Sequence, residues 1–148
     1  MGESCVGRRH EVTSLLLDTC AAIWLAEKQA VSEEAMDALN EAVESDNPVY
    51  VSMISSWEIG LLVARGRLPL SMDPLAWFER LLDTPGVLLA DISPRILVGS
   101  SFLPGRPPND PMDRIILATA RECGYRLMTR DKHLLAYADE GHVQAIAC

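Results

Sequence analysis

Aromatic side chains, histidine and cysteine are all scarce in this chain. Aromatics make up 5% of its 148 residues, and there are three histidines and four cysteines. Each shortage excludes something. His10, His133 and His142 lack the spacing of an imidazole-held metal site. Cys5, Cys20, Cys123 and Cys148 are too far apart for a zinc knuckle or a C-x-x-C redox pair, and are read as free thiols in a reducing cytosol. No apolar run approaches membrane-spanning length, so no membrane attachment is expected. Arg8-Arg9 before Val12–Leu17 makes a poor signal peptide, because Glu11 and Asp18 interrupt a run that is already too short. Basic residues are scarce as well: 13 Lys and Arg stand against 21 Asp and Glu, a formal charge of −8, with no basic run. Such a chain repels a phosphate backbone, so contact with nucleic acid would need metal ions or a local basic rim. There is no Ser-His-Asp order, Walker loop or G-x-G-x-x-G.

Apolar residues are abundant, at 49%. The length suits one domain with a real core. Residues 1–11 read as a polar leader and 12–148 as the folded domain. Val12–Leu17 is a short apolar run that predicts a buried strand, followed by helical spacing over Thr19–Lys28. Ser32 with Glu33-Glu34 predicts a capped helix to about Glu44. Val49–Ser52 predicts a second strand, and Met53–Arg65 a helix stopped by Gly66. Asp73-Pro74 and Ser93-Pro94 each pair an N-cap with a first-turn proline. A third strand is expected within Pro85–Ile92. After the Pro- and Gly-rich loop Leu103–Asn109 come a helix to about Cys123, a strand at Arg126–Thr129, a short helix after Asp131 and a strand at Val143–Ala147. Alternating short apolar strands and helices predict a mostly parallel sheet covered on both faces.

In such sheets ligands sit beyond the carboxyl ends of the strands. Asp18 follows the first strand and Asp131 the fourth, so both emerge at that edge. Each also admits a plain reading as a turn or cap residue. Glu58 interrupts an apolar helical stripe containing Ile54, Leu61 and Leu62, where an unpartnered carboxylate is costly. A structural salt bridge, with Arg65 or another arginine, is the alternative. Asp110, before Pro111, is an ordinary N-cap. Asp113 begins the face carried on by Ile116, Leu117 and Ala120, which capping explains only in part. Four carboxylates in one crevice would repel one another unless cations neutralise them. An all-oxygen set points to Mg²⁺ or Mn²⁺. Such ions suit phosphodiester hydrolysis, where they activate water, hold the phosphate and steady the leaving oxygen.

The stretches Leu15–Thr19 (LLLDT), Val49–Leu68, Asn109–Ala120 (NDPMDRIILATA) and Leu127–Tyr137 (LMTRDKHLLAY), in this order, resemble PIN-domain ribonucleases, and among them VapC-type toxins of toxin–antitoxin pairs. The resemblance runs from about Val12 to the C-terminus. It implies a three-layer α/β/α endoribonuclease using Mg²⁺ or Mn²⁺. Carried over by motif, Asp18, Glu58, Asp113 and Asp131 form the catalytic and metal-binding quartet, with Asp18 and Asp113 as main ligands. It also implies a cytoplasmic homodimer inhibited by a small VapB-type antitoxin that places a basic side chain in the acidic pocket. The chain departs from many relatives in having Pro107-Pro108-Asn109 where they carry histidine, and Met112 where they carry an aromatic residue.

Arg114, Arg130 and Lys132 flank proposed ligands and are candidates for a local basic rim on the RNA, or simply solvated surface. Thr129 reads first as a β-branched strand residue, and second as a hydrogen-bonding group of the site. Trp24, Trp57 and Trp77 read as core or dimer contacts rather than base-stacking platforms. Two other classes compete. A phospho-receiver domain would have paired acids after its first strand and a lysine after its last; here Asp18 stands alone and Val143–Cys148 holds no lysine. A catalytically weak PIN-fold binding module would keep the fold and lose the metal chemistry.

Overall fold

Leu15-Leu16-Leu17 has no polar position because both of its faces are covered. The computed structural model describes residues 13–148, so the leader expected at 1–11 and the first residue of the expected strand Val12–Leu17 lie outside the described residues. Five strands form one sheet: β1 (Leu15–Leu17), β2 (Val49–Ser52), β3 (Val87–Ala90), β4 (Arg126–Thr129) and β5 (Gln144–Ala147). Every pairing is parallel and the order is β3-β2-β1-β4-β5. The described helices are α1 (Thr19–Ala26), α2 (Glu33–Glu44), α3 (Met53–Ala64), α4 (Pro74–Leu82), α5 (Pro94–Gly99), α6 (Pro111–Cys123) and α7 (Lys132–Asp139).

Side chains of a strand alternate between the two faces. Leu15, Leu17, Val49, Val51 and Met128 therefore join α1, α2 and α4 in one core, which includes Trp77 and Phe78. Leu16 and Leu127 point the other way and pack with Ile116 and Leu117 of α6 and with Leu134 and Tyr137 of α7. The result is the three-layer α/β/α sandwich expected, with a wholly parallel sheet. Truncating a fully buried leucine such as Leu16 or Leu127 costs about 2–5 kcal/mol.

The order also says where a ligand belongs. The chain builds β1, β2 and β3 outward in one direction, then crosses back to lay β4 and β5 on the other side of β1. The crevice of such a sheet opens where the order reverses, here between β1 and β4 at their carboxyl ends.

Several expectations change in detail. β1 starts at Leu15; Ser14 before it donates its hydroxyl to Asn47 at 2.7 Å and accepts at its carbonyl from the Arg126 amide at 2.9 Å. α1 ends at Ala26, two residues early, since Lys28 lies in the left-handed region at φ 57°. Trp77 is in the core and Trp24 is half-buried, but Trp57 is exposed, so it is no core residue. The expectation of four free thiols is corrected: Cys20 and Cys148 are free, whereas Cys123 is disulfide-bonded. Sequence spacing could not show this, because tertiary structure decides which distant cysteines meet.

Candidate active site

The carboxyl ends of β1 and β4 are in register, Leu17 beside Met128, and the Asp18 amide donates to the Met128 carbonyl at 3.1 Å. This puts Asp18 next to Thr129 and one turn of chain from Asp131. Asp18 is buried and fully engaged. One oxygen caps α1 by accepting from the Ala21 amide at 2.7 Å, and the other accepts from the Thr129 hydroxyl. Thr129 Oγ1 in turn accepts from the Asp131 amide at 3.0 Å. One threonine hydroxyl thus ties the end of β1 to the end of β4. Both readings of Thr129 hold: it ends a strand, and it hydrogen-bonds within the site.

Asp131 is the N-cap of α7. Its Oδ1 accepts from the amides of His133 at 2.7 Å and Leu134 at 3.1 Å. Asp110 caps α6 through Met112 at 2.8 Å and Asp113 at 3.4 Å. Asp113 follows on the first turn of α6, half-buried. Glu58, on α3, is also half-buried, and among the described residues it forms no ion pair, so the salt-bridge alternative finds no partner there.

Asp18, Glu58, Asp113 and Asp131 line one cavity of about 270 Å³ together with Thr19, Cys20, Trp24, Ile116 and Arg130. Its electrostatics are those of buried, crowded acids. Burial pushes the Asp18 carboxyl from 3.8 up to about 6; the Thr129 and Ala21 hydrogen bonds oppose this, and the charges of Asp131 and Glu58 add to it. Burial pushes Asp113 up to about 7, reinforced by Asp110, Asp131, Glu58 and Asp18 in turn. Cys20, expected only as a free thiol, also lines the cavity. Burial and then the same carboxylates push its thiol up to about 11, so it is no nucleophile at neutral pH.

Two of the three basic candidates hydrogen-bond to backbone carbonyls. Arg130 lines the cavity, yet its guanidinium donates to the carbonyls of Cys148 at 2.8 Å and Ala30 at 3.2 Å and lies 3.7 Å over the Trp24 ring. Arg114 donates to the Pro108 carbonyl at 2.7 Å. Lys132 is exposed on the first turn of α7.

A donor set made of carboxylates and hydroxyls, beside which the lining Arg130 gives hydrogen bonds to backbone carbonyls, suits a hard divalent ion. As placed, no three His, Cys, Asp or Glu side chains among the described residues already converge on one point. The donor chemistry and the charge fit a cation; closure around it is not preformed.

A parallel sheet of order β3-β2-β1-β4-β5 with acids at the switch point is the arrangement expected of a PIN domain. It differs from the 2-1-3-4-5 order of receiver-like folds. The model of the PIN-domain family matches residues 15–140, and the chain belongs to that family. Within it, the chain is 35% identical over 127 residues to Ribonuclease VapC22 of Mycobacterium tuberculosis, covering 85% of this chain and 93% of that protein. Its fold is similar to that of VapBC2 from Rickettsia felis bound to a promoter DNA fragment, with TM-score 0.65 and 13% identity over 91% of this chain and 98% of that one. It is also similar to FitAcB from Neisseria gonorrhoeae, with TM-score 0.57 and 21% identity over 89% and 96% of the two chains. No helix among the described residues is long and apolar enough to cross a membrane.

Proposed function

We propose that this chain is a metal-dependent endoribonuclease that acts as the toxin of a toxin–antitoxin pair. The observation that carries the reading is the one cavity that Asp18, Glu58, Asp113 and Asp131 line together, with Asp18 and Asp113 pushed toward neutral pH by burial and by the charges of their neighbours. The 35% identity to a ribonuclease over most of the chain supports the reaction class. Divalent-metal dependence is general among PIN-domain nucleases, and the all-oxygen set favours Mg²⁺ or Mn²⁺. Asp18 and Asp113 are the main ligands; Glu58 and Asp131 complete the shell or orient the attacking water. The bound cation supplies charge neutralisation and polarisation of the scissile phosphate. The chain's own contribution is orientation. Thr129 and the Ala21 amide hold both Asp18 oxygens, and the α6 cap delivers Asp113 on its first turn.

The acidic cavity suits a small antitoxin that inserts a basic side chain, and the toxin reading carries with it a homodimer in the cytoplasm. Incubating purified protein with RNA and Mg²⁺ or Mn²⁺ tests the activity: cleavage is expected, and it should be lost in Asp18→Asn and Asp113→Asn. Equal cleavage by wild type and variants would defeat the site assignment. Metal titration followed by thermal melting separates the enzyme from a binding-only PIN module, which would show no metal stabilisation.

A further inference from the structure

The acidic cavity continues sideways. A second hollow of about 580 Å³ adjoins it, and Asp113 and Asp131 line both. Its size falls within the range of about 300–1,000 Å³ usual for sites that hold a small organic group. One wall is the Pro-rich segment that joins α5 to α6, and that segment is pinned on both sides of Arg106. On one side the Tyr137 hydroxyl donates to the Pro104 carbonyl at 2.6 Å. On the other, Arg114 Nε donates to the Pro108 carbonyl at 2.7 Å. Between the pins, Gly105 lies at φ 71° with its α-carbon against the His142 ring, where a Cβ would overlap Nε2. Pro107 and Pro108 stiffen the remainder. The segment is therefore a rigid mount that presents Arg106, with Pro107, Pro108 and Asn109, to a hollow whose acidic lining is Asp110, Asp113, Asp131 and Glu140.

Arg106 differs from its neighbours in being unspent. Arg114 gives one guanidinium hydrogen and Arg130 gives two to backbone carbonyls, whereas Arg106 has no hydrogen-bond or ion-pair partner among the described residues. His133, the other basic residue lining the hollow, stands 3.7 Å from Asp131. A free guanidinium on a fixed backbone is suited to a phosphate, which it can grip through two parallel hydrogen bonds.

We infer that this hollow is a nucleotide subsite: it receives the ribonucleotide next to the scissile phosphate on one side of the cut, with Arg106 on that nucleotide's phosphate. The inference rests on the ribonuclease reading above. A strand whose scissile phosphate lies at Asp113 and Asp131 has the second hollow as its continuation past those residues, and its next phosphate meets Arg106. This places one useful positive charge at a specific step of the substrate in a chain whose net charge opposes RNA.

The test uses the full chain with Mn²⁺ and single-stranded RNA whose cut has been mapped, plus two RNAs in which a single nucleoside, without its outer phosphate, remains on the 5′ or the 3′ side of the cut. Arg106→Ala should raise KM about tenfold or more while kcat stays within about twofold, the size expected for one charge-assisted contact. On one of the two trimmed RNAs the penalty should vanish, and Arg106→Lys should recover part of it on the intact RNA. Fluorescence anisotropy should show the same loss in RNA affinity, and an unchanged Tm would show that the fold is intact. An unchanged RNA affinity and KM, or equal penalties on both trimmed RNAs, overturns the subsite. So does a variant whose RNA affinity is normal and whose only defect is weaker inhibition by a basic protein partner. Absence of cleavage by the wild type would instead sink the ribonuclease reading, with anisotropy still reporting on Arg106.

Discussion

Asp110 and Asp113 lie on the same helix start and do different work. Asp110 is exposed and accepts from two otherwise unpaired amides of α6. Asp110→Ala should therefore cost stability, about 1 kcal/mol in a urea melt, as lost N-caps usually do. It should leave cleavage nearly intact once the protein is folded. Asp113 accepts no such bond, and its neighbours push its carboxyl up to about 7. Asp113→Ala should abolish cleavage and, without metal at pH 8, leave the fold as stable as wild type or more so. Reversed losses would mean the two roles have been exchanged. Thr129 belongs to the same scale. Its hydroxyl lowers the Asp18 carboxyl, so Thr129→Val should raise it further. Cleavage by that variant should then fall more at pH 6 than at pH 8, since protonated Asp18 cannot hold a cation. A pH-independent loss would count against this role. The four acids were legible in sequence because each interrupts a local pattern or follows a strand. Thr129 was only half legible, because its partner Asp18 is 111 positions away.

At the scale of elements, local chemistry was readable and distant chemistry was not. Ser32, Asp73-Pro74, Ser93-Pro94 and Asp110-Pro111 all cap helices as expected, because a cap is made within four residues. The strands were visible as apolar runs, but their order depends on which runs pair across long loops, and periodicity does not encode that. The Cys123 disulfide was hidden for the same reason. The mount of Arg106 shows what an element can do for a site. Tyr137 is buried in the α7 core, and its hydroxyl reaches out to Pro104. Tyr137→Phe keeps the packing and removes that pin. Pro104 is an exposed residue, so the stability cost should be modest, about 1 kcal/mol. KM for RNA should rise, and by less than in Arg106→Ala, because the Arg114 pin remains. A fully rigid loop in Tyr137→Phe, with KM unchanged, would show that the Arg114 pin is enough.

For the molecule as a whole, acidity is a stability question before it is a functional one. Asp18 titrates at about 6 and Asp113 at about 7 in the folded chain, both raised from 3.8. Between about pH 4 and pH 7 the native state thus holds more protons on these two groups than the unfolded state does. By linkage, their contribution makes stability fall as pH rises through that window and level off above it. A divalent cation binds the deprotonated carboxylates and competes with those protons. It should stabilise little at pH 5 and strongly at pH 8. With free Mn²⁺ at a hundred times its Kd, the linkage amounts to about 2.7 kcal/mol, or roughly 5–10 °C in Tm for a chain of this size. The comparison that isolates the site is with Asp113→Asn. That variant should lose less stability than wild type between pH 5 and pH 8 without metal, and should lose most of the Mn²⁺ shift. Suppose instead that wild type and Asp113→Asn change identically with pH and that Mn²⁺ moves neither. The carboxylates would then already be neutralised within the protein, and a metal would have no place in the cavity.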